Sequence, residues 1–197
     1  MTIKKRESVG SNFFPVFSKY DMNEVKIEDQ GLARYINLEI DDIYLGGVNA
    51  NKLFAKSKIP IIERLINNIM RTEKYNGKKT KAYKVVKAAF EIIDKRTKTN
   101  PMQVFIDALQ NAAPKEETTR LRFGGISVPK AVDIGPQRRL DIAIRNISMS
   151  SVAASHKNKK SIEACLADEI IKASKNDVAS VAVTKKNDVE RVAKSAR

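Results

Sequence analysis

Four arginines in the stretch TTRLRFGGISVPKAVDIGPQRR, residues 118–139, are spaced for one kind of chemistry. Arg120 and Arg122 stand two apart, which puts both guanidinium groups on one side of an extended strand. Lys130 lies on the returning half, and Arg138 and Arg139 follow directly after Gly135-Pro136. A guanidinium is always charged, and its planar fork meets two oxygens of a phosphate at once. It makes a strong anion clamp and a poor acid, base or nucleophile, so the stretch points to holding a phosphate polymer. The position of Arg138 and Arg139 in a first helical turn agrees, because the helix dipole disfavours cations there unless an anion offsets the cost. Two further cationic groups join them: Lys157, Lys159 and Lys160 in SHKNKK, and the adjacent pair Lys78 and Lys79.

Residues able to carry turnover are scarce. His156 is the only histidine and lies among lysines; Cys165 is the only cysteine and lies on an apolar helical face, as a packed thiol does. One of each makes a zinc site from such ligands implausible. Gly77-Lys78-Lys79-Thr80 has the ending of a phosphate loop, but Thr72 occupies the place of the required leading glycine. Asp41-Asp42 is an acidic pair of the sort that ordinarily faces water, and Asn146-Ile147-Ser148 matches a glycosylation sequon without any secretory signal to give it meaning. No catalytic residue, metal site or cofactor is expected.

The whole composition supports a polyanionic partner. The chain of 197 residues carries 37 Lys and Arg against 23 Asp and Glu, a net charge of +14, with 42% hydrophobic residues. That is a globular composition with an excess positive potential suited to nucleic acid. The charge is uneven: residues 21–42 hold seven carboxylates and two cations, −5 by count, so the remainder carries +19. Such an acidic segment is expected to pack on the chain's own basic body or on a neighbouring protein. A single cysteine implies no internal disulfide and a reducing compartment. The N-terminus lacks an apolar signal-peptide region, and no apolar run approaches the ~20 residues of a membrane span. A cytoplasmic protein with no membrane partner is expected.

The elements that must position these cations are mostly helical. Residues 1–56 lack sustained helical periodicity and read as an irregular extension, with short β or turn pieces at 34–38 and 43–45. In the helix from Pro60, Ile62, Leu65, Ile66 and Ile69 form the inward stripe and Glu63, Arg64, Asn67 and Asn68 the other side. Ala82, Val85, Val86, Ala89, Phe90 and Ile93 give the clearest helical stripe. Asn100-Pro101 opens a third helix, with Gln103 at the capping-box position and Val104, Phe105, Ala108, Leu109 and Ala112 inward. Gly135-Pro136 opens a fourth, with Leu140, Ala143, Ile144 and Ile147 inward, and Ser161 caps a fifth. The last helix reads NDVERVAKSAR, with Asn187 and Glu190 as its capping box.

Between the third and fourth helices the alternation Thr119, Leu121, Phe123 turns at Gly124-Gly125 into Ile126, Val128, Lys130. Two glycines supply the positive φ angles of a tight primed turn, and a proline at 129 suits an edge. The expected architecture is mainly α: about six helices with a protruding two-stranded β-hairpin arm at 117–133, a helical RNA-binding domain over 57–197, and an extension over 1–56. A helical DNA-binding protein shares much of this composition, and an RNA-acting enzyme would need a titratable or metal centre that the sequence does not supply.

Several segments carry a resemblance: IPIIERLINNIMR (59–71), VKAAFEIIDKRTKTNPMQVFIDALQNAAP (86–114), ETTRLRFGGISVPKAVDIGPQRRLDIAIRNI (117–147), IEACLADEIIKAS (162–174) and VERVAKSAR (189–197), with VKIEDQGLARYINL (25–38) in the extension. In this order they resemble the universal small-subunit ribosomal protein family usually called S-seven, in its archaeal and eukaryotic form. The resemblance implies a six-helix bundle with a β-ribbon that binds the 3′ major domain of small-subunit ribosomal RNA and nucleates the subunit head. It also implies messenger and exit-site tRNA near the ribbon, and neighbouring ribosomal proteins as partners. Arg120, Gly124, Gly125, Arg138 and Arg139 fall in the family's ribbon and following helix start. Two places depart from the family pattern, Ser127-Val128-Pro129 and GGVNANK (46–52), where many members are more basic.

Overall fold

The computed structural model describes residue 17 and residues 19–22, 24–38 and 52–197. The β or turn piece expected at 43–45 and the pair Asp41-Asp42 lie outside the described residues. Among the described residues are seven α-helices and one two-stranded sheet: α1 (Gln30–Ala33), α2 (Ile61–Met70), α3 (Lys79–Thr97), α4 (Pro101–Ala112), β1 (Glu116–Phe123), β2 (Ile126–Asp133), α5 (Pro136–Ser155), α6 (Ile162–Ser174) and α7 (Val181–Ser195). The six helices of the body match the expected number; the seventh is the four-residue turn α1 in the extension.

The core follows from the apolar stripes. All six expected positions of α3 are buried, as are Val104, Phe105, Ala108, Leu109 and Ala112 of α4 and Leu140, Ala143, Ile144 and Ile147 of α5. α6 lies at the centre, packed against α3, α4 and α5. Its Leu166, Ala167, Ile170 and Ala173 are fully buried, and the alanines let neighbouring helices approach closely. Phe90 and Phe105 meet edge to face at 5.8 Å, and Phe17 closes on Phe90 at the same distance.

Three local expectations change. Glu63 and Arg64 are buried rather than solvent-facing, because α2 is covered on its polar side too. Arg64 donates to the Tyr35 carbonyl and to Asp141 at 2.7 Å, and Lys79 donates to Glu63 at 2.6 Å. Gln103 does not close a capping box. Asn100 alone caps α4, accepting from Met102 N at 3.0 Å, while Gln103 exchanges hydrogen bonds with the backbone of Lys26. The last helix starts at Val181 rather than near Asn187. Ser180 is its cap, and Glu169, buried on α6, accepts from the Ser180 hydroxyl at 2.8 Å and from Ala182 N at 2.9 Å. A carboxylate at that helix N-terminus satisfies orphan N–H groups and meets the positive dipole end. Glu190, assigned to the same box, instead accepts from Lys115 N at 2.9 Å.

Residues 24–38 pack along the body. Leu32 and Ile36 join the main core, and Asn37 pairs with Pro60 in an isolated parallel bridge. Asp29 caps α1 and forms a 2.9 Å ion pair with Arg139, which also donates to the Pro114 carbonyl at 3.1 Å. Gln110 accepts from Asp29 N at 2.7 Å. The described part of the acidic segment thus docks on the chain's own body through one ion pair, two glutamines and the buried Leu32 and Ile36. Arg139→Ala is expected to leave Asp29 partly buried and unpaired, at a cost of about 1–3 kcal/mol. Amide hydrogen exchange in residues 24–36 should accelerate while α3, α4 and α6 keep their protection; unchanged exchange there would show the latch to be idle.

Candidate nucleic-acid interface

The ribbon is built as its alternation requires. β1 and β2 pair antiparallel from Glu116↔Asp133 to Phe123↔Ile126, and Gly124 and Gly125 take φ of 54° and 87°. Positive φ at both central residues is what a type I′ turn needs, and an L side chain there would be strained. Arg120 lies opposite Pro129 and Arg122 opposite Ser127, so both guanidinium groups rise from one face with no bulky neighbour across the ladder. Lys130, opposite Thr119, belongs to the other face together with Leu121, Val128 and Ile126.

A two-stranded ribbon alone is marginal in water, and this one is held at its base. Ile134 N donates to the Lys115 carbonyl at 3.0 Å, and Ala131 N donates to the Ala196 carbonyl at 3.3 Å. Arg197 pairs with Glu116, and Arg138 grips Glu117 with two bonds of 2.9 and 3.0 Å. The base is therefore anchored on α7 and α5, and the half bearing Arg120 and Arg122 projects beyond it.

The ten cations expected to meet phosphate separate by what they already hold. Arg120, Arg122, Lys130, Lys78, Lys157 and Lys159 are exposed. Among the described residues, none of these six has a carboxylate partner. Arg138 and Lys160 are paired with Glu117 and Asp168 but remain 64% exposed, so those pairs are weak and exchangeable with an incoming phosphate. Arg139, only 11% exposed, and Lys79, bonded to the buried Glu63, are committed inside the molecule. The helix-dipole cost at Arg138 and Arg139 is offset by the chain's own Glu117 and Asp29, not by a required external anion.

Protein carboxylates shape the rest of this surface. Burial pushes Asp168 up, but the hydrogen bonds and charges of Arg96 and then Lys160 outweigh it and hold the carboxyl below the ordinary range. The hydrogen bond and charge of Glu117 hold Arg138 above the usual guanidinium value. Arg34, Arg71 and Arg145 were missed by motif spacing. Among the described residues they too have no ion-pair partner, unlike Arg64, Arg96, Arg191 and Arg197. The available signal was partial: Arg145 stands off the apolar stripe of α5, while nothing in the spacing distinguishes Arg71. No described helix is long and apolar enough to cross a membrane.

Residues 42–197 match the family profile described as ribosomal protein S7p/S5e. The chain is 51% identical over 183 residues to a protein of Thermoplasma volcanium named small ribosomal subunit protein uS7, covering 92% of this chain and 100% of the relative. A relative of the same name from Archaeoglobus fulgidus is 56% identical over 92% of this chain and 94% of its own length. One from Methanothermobacter thermautotrophicus is 52% identical over 92% of this chain and 98% of its own.

Proposed function

Since this chain belongs to the ribosomal protein S7p/S5e family, we propose that it is a structural constituent of the small ribosomal subunit that binds ribosomal RNA directly. It acts in the cytoplasm, as part of the ribosome, without catalytic turnover. The target is the 3′ major domain of small-subunit RNA, whose folding into the subunit head the protein nucleates. The ribbon lies near messenger and exit-site tRNA. One observation carries the reading: the ribbon raises Arg120 and Arg122, unpaired among the described residues, on one face beyond a base where Arg138 and Arg197 are already paired.

Physical chemistry supports RNA as the partner. Phosphate contacts dominate the affinity of such cations, and exposed guanidinium groups can reach an irregular folded backbone without a groove-sized reading helix. Within the described residues 24–38, Asp29 is turned onto the body by its ion pair with Arg139, while Glu24 and Glu28 stay exposed. Binding to a folded small-subunit 3′ major domain transcript should exceed binding to duplex DNA of equal length at the same salt concentration. The check is a filter-binding or calorimetric comparison of the two. Equal affinity would reduce the protein to a general polyanion binder, and preference for the DNA would overturn the reading.

A further inference from the structure

The C-terminal half of α5 is patterned inside out. Ser148, Ser150, Ser151 and Ser155 are buried, while Met149 is 53% exposed. Each serine bonds back to its own helix: Ser148 to the Ile144 carbonyl, Ser150 and Ser151 to Ile147, and Ser155 to Val152. All four hydroxyls donate within the helix, and only that of Ser155 also accepts from outside it, from Lys74, so the buried side needs no explanation beyond close packing. A single exposed methionine is ordinary; what sets Met149 apart is the groove it shares with Val152 and with cations that have no ion-pair partner among the described residues.

Met149 forms a stripe with Arg145 and Val152 along α5, spaced i, i+4 and i+7, and His156 follows as the helix C-cap. Facing that stripe are the end of α2 and the turn after it, with Arg71 and Lys74. Together they line a groove of about 870 Å³, within the range of roughly 300–1,000 Å³ typical of ligand sites. Among the described residues, its lining combines an apolar surface of Met149, Val152 and Ala153 with the cations Arg71, Lys74 and Arg145 and one carboxylate, Glu73. Arg71 and Arg145 have no ion-pair partner among the described residues, and Lys74 holds only the Ser155 hydroxyl at 3.3 Å.

A duplex backbone needs cations but no apolar surface. An aliphatic protein side chain needs the apolar surface but no cations. A single unpaired nucleotide needs both, since its base has a flat apolar face and its two flanking phosphates are anionic. We propose that this groove takes one extruded, unstacked RNA base against Met149 and Val152, with Arg71 and Arg145 on the adjoining phosphates. The inference rests on the RNA-binding reading above and assigns it a second site, on the helical body and separate from the ribbon.

The test uses the full chain and the folded 3′ major domain transcript. Met149→Lys keeps the positive potential and removes apolar surface from the groove. It is expected to weaken binding by about tenfold, the scale of losing the burial of one large apolar side chain, with no fall in salt slope. Met149→Leu should bind like the parent protein. Arg145→Ala should lower the slope of log affinity against log salt by roughly 0.7, the value for one single-strand phosphate contact. Ultraviolet crosslinking of the complex should place a nucleotide adduct on this stretch of α5. Parent-like binding by Met149→Lys, or crosslinks from this groove only to another protein in assembled subunits, would overturn the groove while leaving ribbon-based RNA binding intact. Failure of the parent protein itself to bind the transcript would instead remove the underlying reading.

Discussion

Phe90→Ala should destabilise the chain by about 3–5 kcal/mol, the loss typical of a large aromatic removed from a packed core. Phe90 is 0% exposed and sits where three elements meet. Its ring meets Phe105 of α4 at 5.8 Å and 64° and Phe17 of the extension at 5.8 Å and 67°. Edge-to-face pairs of this kind add about 0.5–1.5 kcal/mol beyond burial, so the alanine forfeits packing energy as well as area. Against a total stability of roughly 5–15 kcal/mol this is a large share. In urea the midpoint should fall by roughly 2 M for a slope of about 2 kcal/mol per molar. Val189→Ala, on the 37% exposed face of α7, should stay within about 0.5 kcal/mol of the parent. A Phe90→Ala shift as small as that of Val189→Ala would mean that the centre of the core has been misplaced.

The second large effect is on binding. Removing both ribbon arginines, Arg120→Ala with Arg122→Ala, should lower the salt slope of RNA affinity by roughly 1.4–1.8, at about 0.7–0.9 for each phosphate no longer held. Stability should move by less than about 0.5 kcal/mol, because both residues are exposed and hold nothing inside the protein. Arg139→Ala makes the contrast: its guanidinium is only 11% exposed and held by Asp29, so its removal should leave the slope in place. Equal slopes for the double variant and the parent would remove the ribbon from the interface.

What could be read from residue order was whatever local spacing decides. The α3 stripe, the Asn100 cap with Pro101 behind it, the Ser161 cap and the Gly124-Gly125 turn are each set within a few residues, and each stands in the structure as expected. Misreadings arose where a distant partner wins. The start of α7 is fixed by Glu169 from a different helix, and the role of Gln103 by the backbone of Lys26, 77 residues away. A cation's identity says nothing about whether a carboxylate will reach it. Arg138 and Arg139 are neighbours in sequence, yet one stays on the surface with Glu117 and the other is drawn inward by Asp29. The outward face of Met149 was equally invisible, since periodicity cannot tell a serine-lined interior from a solvent face when both helix sides carry small residues.

The docking of the acidic segment also bears on the order of events while the chain is made. Lys26 and Asp29 find their partners 77, 81 and 110 positions further on, at Gln103, Gln110 and Arg139. At translation speeds of about 5–20 residues per second, the wait for Arg139 is roughly 5–20 s. The glutamines of α4 emerge first, so the segment can be held by neutral contacts before its one charge partner exists, and the ion pair with Arg139 is the last of the three to form.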